Sequence, residues 1–471
     1  MFAALAAHAR QRLLDNPIAN IVAMGRDPYG LLERLYRRDG DMFRLRIAGM
    51  ETVYVCVDPE GVRQLVAGSY EQFERFAGGV ELFLGPQSLI RMDDDPHRKR
   101  RKMMNPAFSA ESVRAFGPTM HDLTLRVLGG LKPGASLALL DPMQEITLRV
   151  IMRCVFGVAE GPRLEELRQL VIGYLRQIFG PEALALAAAR TPAGAQRWFH
   201  DHSTAAAMTR PDATFVPSRW PLWRIADRLG RIHALLDAEI DRCVAEGPET
   251  RSDVLATLLQ ARFDDGAGMG RDELKEQLLL LLLGGYETTS ISLCWAMHCL
   301  MHNPATLARV RAELKTVMGA GPIDATRVRE LTYLGAAINE SMRLYPIATG
   351  VSRRLKVPMT LGGREVKPGE IVLACIYLTH RDPAIWKDPE TFEPERMLER
   401  RPPPWQMFPF GSGVWRCLGA AFAEHEMRIV LAELCARFDL EAEGPPVRAV
   451  QRGITVGPSG GMRVRVTGVR D

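Results

Sequence analysis

The ten residues Phe410-Gly-Ser-Gly-Val-Trp-Arg-Cys417-Leu-Gly419 limit what this chain can become more than any other stretch. Gly411, Gly413 and Gly419 in so short a run favour a loop. The stretch that follows, Ala420-Ala-Phe-Ala-Glu-His-Glu-Met-Arg-Ile-Val-Leu431, has the apolar spacing of a helix face. Cys417 is thereby set at a helix N-terminus, where unpaired amides and the helix dipole favour the thiolate. A thiolate among amides suits a soft metal or a haem iron. Phe410, seven residues upstream, is placed to cover the sulfur from water. A free cysteine packed into the core ahead of a helix is the bland alternative.

Composition narrows the class. The 471 residues are 47% hydrophobic and 25% charged, which is enough to bury a large core. No linker, charge block or internal repeat divides them, so one domain over residues 1–471 is expected although length alone would allow several. A net charge of +4 is small for this size and does not call for a polyanion partner. Cys56, Cys154, Cys243, Cys294, Cys299, Cys375, Cys417 and Cys435 are scattered, with no CxxC pair or zinc spacing. Reduced thiols are predicted. Met1–His8 is too short for a signal peptide core. The longest pure apolar run, Leu278 to Leu283, has six residues, against the ~20 of a spanning helix. A cytoplasmic protein with no membrane span is expected, monomeric by default.

Along the chain, residues 42–57 alternate around a turn and read as a hairpin, after which Asp58-Pro59 starts a helix. From about 96 to 320 the pattern is mainly helical, broken at Pro181, Pro192, Pro211, Pro217 and Pro221. Strand-like alternation returns in 351–375 and 449–467, where Gly457-Pro-Ser-Gly-Gly461 separates two strands. The fold class is mainly α with a minor β region. Segments 77–95 and 177–222 read as long, irregular, apolar loops of the kind that act as lids.

Three further motifs carry chemistry. Arg271–His302 is one periodic helix with Gly284-Gly-Tyr-Glu287-Thr288-Thr289 at its centre. Each mid-helix glycine costs about 1 kcal/mol relative to alanine. A flat ligand approaching closely, a local opening of the helix, or a tight core crossing would offset that cost. Thr288 can back-bond to the Gly284 carbonyl, and Glu287 sets an acid beside it. Glu340-Ser-Met-Arg343 puts opposite charges on one helix face. That spacing recurs at Glu60, Glu111, Glu160, Glu165, Glu239 and Glu393; what raises Glu340–Arg343 is its sequel, His380-Arg-Asp-Pro-Ala-Ile-Trp386 and then Phe392-Glu-Pro-Glu-Arg396. In Asp95-Pro-His97-Arg-Lys-Arg-Arg101-Lys102, His97 and Arg101 share a helix face at i,i+4.

Together these runs closely resemble the cytochrome P450 superfamily of haem-thiolate monooxygenases, over roughly residues 17–468 and in family order. The resemblance implies a helical bundle around a buried haem b (iron protoporphyrin IX) with small β-sheets. It implies Cys417 as the iron ligand, with Phe410, Gly411 and Gly419 shaping its loop. Gly284 and Gly285 would form an oxygen-binding groove in which Glu287 and Thr288 steer protons. Glu340, Arg343 and Arg396 would be a buried network holding the cysteine loop. His97 and Arg101 would contact the haem propionates, leaving Arg98, Lys99 and Lys102 on other faces for an acidic redox partner. Of Arg353 and Arg354 strand alternation lets one reach a propionate, and Arg353 is favoured.

One position departs from the family. Trp415 stands where relatives usually carry an arginine or histidine on a propionate, and an indole brings one donor and no charge. Haem is then expected to rest on fewer cations (His97, Arg101, Arg353), so that Trp415→Arg tightens its retention; Trp415 merely packing on the macrocycle is the other reading. The implied reaction uses O2 and two electrons from a separate ferredoxin or flavodoxin-type donor to hydroxylate or epoxidise a lipophilic small molecule. Val80, Leu82, Phe83, Leu84, Ile178 and Phe179 suggest the lipophilicity. Peroxide-driven or redox-neutral chemistry fits the acid–alcohol pair less well, and haem binding without turnover is a further alternative. The basic run lacks the interleaved aromatics of a nucleic-acid surface.

Overall fold

The computed structural model describes residues 14–76, 84–158, 161–178, 221–319 and 321–470. Helices dominate, and the chain groups into two compact units. One draws on residues up to 76, 108–147 and 286 onward, the other on 77–107 and 148–285.

In the first unit β-branched alternation produces the expected hairpin, with Met42 opposite Cys56 and Leu45 opposite Val53. It is the edge of a five-stranded sheet, ordered Met42–Leu45, Val53–Cys56, Ile371–Ala374, Val351–Leu355, Phe73–Arg75. Val53–Cys56 and Ile371–Ala374 run parallel, a pairing between distant parts of the chain that local pattern does not announce. Helix Pro59–Ala67 starts where expected: the Asp58 carboxylate accepts from the Gly61 amide at 2.7 Å and proline occupies the first turn. Cys56, Val62, Leu65, Phe73, Leu355, Val372, Phe408 and Trp415 make one buried cluster, which joins the sheet to the chain just before Cys417.

Helix Thr332–Leu344 is buried on nearly every side, and so is Ala420–Arg437, whose apolar residues lie all round it rather than on the single face expected from its first turns. The end of the chain differs from expectation in one respect. Gly457 and Pro458 lie inside strand Thr455–Pro458, which pairs back on Ala449–Arg452, and only Ser459–Gly461 links onward. The following strand, Arg463–Val469, pairs instead with Ser136–Ala138 and Phe438–Ala442.

The second unit contains Asp94–Met104, Pro162–Ile178, Pro221–Glu246, Val254–Gln260 and the first half of Arg271–His302. Pro221 is the first described residue of helix Pro221–Glu246, and Pro181, Pro192, Pro211 and Pro217 lie outside the described residues. Of the two expected lids, residues 77–83 and 179–220 lie outside the described residues. Near the first of them the Leu89 amide donates to Gln277 on the long helix at 2.9 Å. Among the described residues Arg271–His302 is the one helix long and apolar enough to cross a membrane; 61% of its apolar window is buried, the behaviour of a core helix.

Candidate functional site

The cysteine loop is built by its glycines. Gly411 and Gly413 adopt φ of +67° and +64°, conformations a side chain would strain. The Gly411 amide donates to the Phe408 carbonyl and the Cys417 amide to the Phe410 carbonyl, both at 2.9 Å, so the run closes on itself. Ser412 donates to the Val66 carbonyl at 3.1 Å, and a Cβ on Gly413 would stand 3.0 Å from that same oxygen. The loop is thus docked on the end of helix Pro59–Ala67. Helix Ala420–Arg437 follows, with Gly419 as its N-cap. Of the eight cysteines, all unpaired with one another, Cys417 alone is exposed. Burial pushes the thiols of Cys56, Cys375 and Cys435 up to about 12, whereas Cys417 is an exposed residue.

Behind the loop stands the charged network. Arg343 donates through Nε and Nη2 to both oxygens of Glu340 at 2.8 Å, and neither side chain has any exposed surface. Arg396 adds a bond to Glu340 Oε1 at 2.9 Å. The remaining Arg343 donors go to the carbonyls of His380 and Pro389 at 2.7 Å and Thr391 at 3.1 Å, which leaves the buried guanidinium fully compensated. Through His380 the network reaches the loop: its Nε2 accepts from the Phe408 amide at 3.1 Å. Burial, helped by the nearby Arg343 charge, pushes the His380 imidazole down to about 3, so it is a neutral acceptor. The run His380-Arg-Asp-Pro-Ala-Ile-Trp386 carries no local signal of this bond, because Phe408 lies 28 residues away.

The long helix runs unbroken from Arg271 to His302, without the local opening considered above. Its two glycines have different surroundings. A Cβ on Gly285 would meet Ile151 Cδ1 at 2.4 Å, so packing alone requires the glycine; a Cβ on Gly284 would meet nothing within 4 Å among the described residues. Gly284, Glu287 and Thr288 share one helix face at i, i+3 and i+4, and none of the three is fully buried. The carbonyls of Tyr286, Glu287 and Thr288 accept from the hydroxyls of Thr147, Ser290 and Ser292 at 2.8, 2.9 and 3.0 Å. Burial pushes the Glu287 carboxyl up to about 7, against the opposing pull of Arg452, whose Nε lies 4.0 Å from Oε1. Arg452 comes from strand Ala449–Arg452 and was not foreseen; nothing local in the sequence links it to Glu287.

Arg353 and Arg354 part as alternation requires. Arg353 is buried, with its guanidinium 4.4 Å from the centroid of the Trp415 ring. Arg354 turns outward to Glu51 at 2.7 Å. In the second unit His97 and Arg101 sit on helix Asp94–Met104, His97 fully buried and Arg101 partly so. Arg98 and Lys99 both pair with Asp95, and Lys102 with Asp264, so the three exposed cations are partly neutralised within their own unit.

Comparison with known proteins agrees with this geometry. The sequence profile of the family described as Cytochrome P450 matches residues 18–462. Cytochrome P450 135B1 of Mycobacterium bovis is 33% identical over 456 residues, covering 96% of this chain and 89% of the relative. Cyclooctatin synthase of Streptomyces melanosporofaciens is 29% identical, covering 94% and 92%. The solved structure of retinoic acid bound cyanobacterial CYP120A1 superposes with a TM-score of 0.76 at 23% identity and covers 93% of each chain, a likeness of fold. An open thiol on a glycine loop, a buried Glu–Arg–Arg network behind it and a family match over nearly the whole chain lead to one conclusion: the chain belongs to the cytochrome P450 family.

Proposed function

We propose that this protein activates O2 at a haem held by Cys417 and inserts oxygen into a lipophilic small molecule, with electrons from a separate ferredoxin or flavodoxin-type protein. As a cytochrome P450 it is a haem-thiolate monooxygenase whose cofactor is iron protoporphyrin IX. The residues fit that group. An exposed cysteine precedes the helix, amide bonds close its loop, the buried Arg353 guanidinium lies over the Trp415 ring of that loop, and among the described residues nothing lies within 4 Å of a Cβ added at Gly284. The observation that carries the reading is the single exposed thiol on the loop closed from Phe410 to Cys417.

When bound, the haem supplies dioxygen activation, and its thiolate ligand favours O–O cleavage. The chain supplies position and proton control. Cys417 would be the ligand, with the Glu340, Arg343, Arg396 and His380 assembly keeping its loop from moving. His97, Arg101 and Arg353 would serve the propionates. Of the two helix glycines, Gly284 is the better candidate for close approach, since Gly285 already meets Ile151. A carboxyl with a pKa of about 7 is populated in both forms near neutrality, so Glu287 can give a proton and be reloaded, passing it along the helix face to the Thr288 hydroxyl. Lipophilic substrate preference is supported by apolar residues beside the lid segments, of which Leu84 and Ile178 are buried.

The test is the carbon monoxide difference spectrum of the reduced protein. A Soret band at the strongly red-shifted position of thiolate ligation is expected, and its loss in Cys417→Ala. A wild-type band at the position of histidine or neutral-thiol ligation, or no haem at all, removes the proposal.

A further inference from the structure

Trp415 occupies a place where a residue of charge was expected, and the fold gives it a neighbour of charge instead. We propose that Trp415 is a positioning residue: its indole face holds the Arg353 guanidinium in the orientation that meets a carboxylate of the bound haem. The inference rests on Cys417 as the iron ligand.

Both side chains are buried, Trp415 at 5% and Arg353 at 4% exposure, and the guanidinium carbon stands 4.4 Å from the ring centroid. A cation over an indole face gains most when water is excluded, which is the case here. Each partner is fixed independently. Tyr70 meets the indole edge-on at 5.2 Å and 79°, which sets the plane of the ring. The Arg353 backbone is fixed by strand pairing to Val372 on one side and Arg75 on the other, and its Nη1 donates to the Ser352 carbonyl at 2.9 Å. The contrast with Arg354 is informative, since that neighbour takes Glu51 as its carboxylate on the outward face.

A guanidinium recognises a carboxylate through its paired in-plane donors. The only charged groups of haem b are its two propionates, and Trp415 lies two positions before the proposed ligand on the same loop. Stacking occupies the face of a guanidinium and leaves its in-plane donors for hydrogen bonds, the geometry a carboxylate accepts. Trp415 therefore contributes no charge of its own; it aims the charge of Arg353. This changes what the departure at 415 means, from a lost cation to a redirected one.

The experiment measures transfer of haem from the holoprotein to excess apomyoglobin for Trp415→Phe, Trp415→Leu, Arg353→Met and the Trp415→Leu/Arg353→Met double variant. Phenylalanine keeps a π face, so its rate should stay within about threefold of wild type, while leucine should release haem about tenfold faster. Arg353→Met should release it at least as fast as Trp415→Leu. In the Arg353→Met background the leucine substitution should add no more than about a twofold change, because the residue it positioned is gone. Effects of Trp415→Leu and Arg353→Met that simply multiply, a phenylalanine variant as leaky as the leucine one, or a leucine variant equal to wild type would each overturn the proposal. The wild-type carbon monoxide spectrum is recorded first. Absence of the thiolate band there defeats the Cys417 reading, whereas a normal band with multiplying effects defeats only the role of Trp415.

Discussion

Glu287 shows how one side chain can be tuned by a residue that sequence gives no reason to connect with it. Its carboxyl stands at about 7 rather than 4.5 because burial disfavours the charge, and Arg452 restrains the shift. A raised folded-state pKa means that the folded protein binds this proton more tightly than the unfolded chain. The resulting stability is complete below pH 4.5 and is lost as pH rises through about 7. Urea midpoints measured from pH 5 to 8 should therefore fall less steeply in Glu287→Gln, which never ionises. In Arg452→Leu the loss should extend to higher pH, since the opposing charge is removed; an unchanged profile in both would show that the pair does not interact. The glycines beside it allow a second residue-scale prediction. Gly285→Ala forces a Cβ onto Ile151 and should cost about 1–3 kcal/mol of unfolding free energy. Gly284→Ala meets no atom of the described residues within 4 Å and should gain about 0.5–1 kcal/mol in the haem-free protein.

At the scale of elements, the helix Thr332–Leu344 matters because of where its charges point. Ion pairs at the same i,i+3 spacing form at Glu60–Arg63, Glu165–Arg168, Glu239–Arg242 and Glu393–Arg396, each with at least one partner in contact with water. Glu340–Arg343 alone among these pairs is buried on both sides. Removing one member of a buried pair strands the other, so Glu340→Gln or Arg343→Leu should lower unfolding free energy by about 3–5 kcal/mol and reduce haem incorporation. Glu60→Gln should leave the urea midpoint where it is, since an exposed pair contributes little. Comparable midpoints for the two substitutions would remove the network from the stability of the cysteine loop. The same helix reaches that loop through the His380 carbonyl and the Phe408 amide, a path of hydrogen bonds between three separate segments.

Across the whole molecule, buried titratable groups of opposite sense set the response to acid. Burial holds His233, His298 and His425 down to about 4 and His380 to about 3, against an ordinary 6.5. Their lowered values mean that stability is present above pH 6.5 and is lost as pH falls toward 4 and below. Burial raises Glu276 and Glu287 to about 7 and Glu426 well above 4.5, and these favour the folded state as pH falls to 4.5. The two sets oppose each other between 6.5 and 4.5, and below 4.5 the histidine loss is joined by carboxylates that arginine partners hold low, among them Asp237 and Asp439. Urea midpoints should be nearly level across the first window and fall steeply below it, with a shallower fall in His380→Gln, whose amide oxygen can still accept from Phe408. A steady decline beginning at pH 7 would count against this balance.

What the sequence by itself determined was local: the hairpin at 42–57, the capped helix after Asp58, the full extent of Arg271–His302 and the glycine loop before Cys417. Each follows from spacing, turn chemistry or capping over a few residues, which neighbours in the chain settle among themselves. Motif order was enough to identify the family, because ligand chemistry demands particular residues at fixed separations. Tertiary packing decided the rest. It placed Glu340–Arg343, and not its exposed counterparts, in a dry core; it gave Gly285 to Ile151 and left Gly284 clear of the described residues; it brought Arg452 to Glu287 and set the Arg353 guanidinium over Trp415. The physical reason is common to all four. Burial and long-range partners fix the energy of a charge or a glycine, and both arise only when segments distant in the chain come into contact.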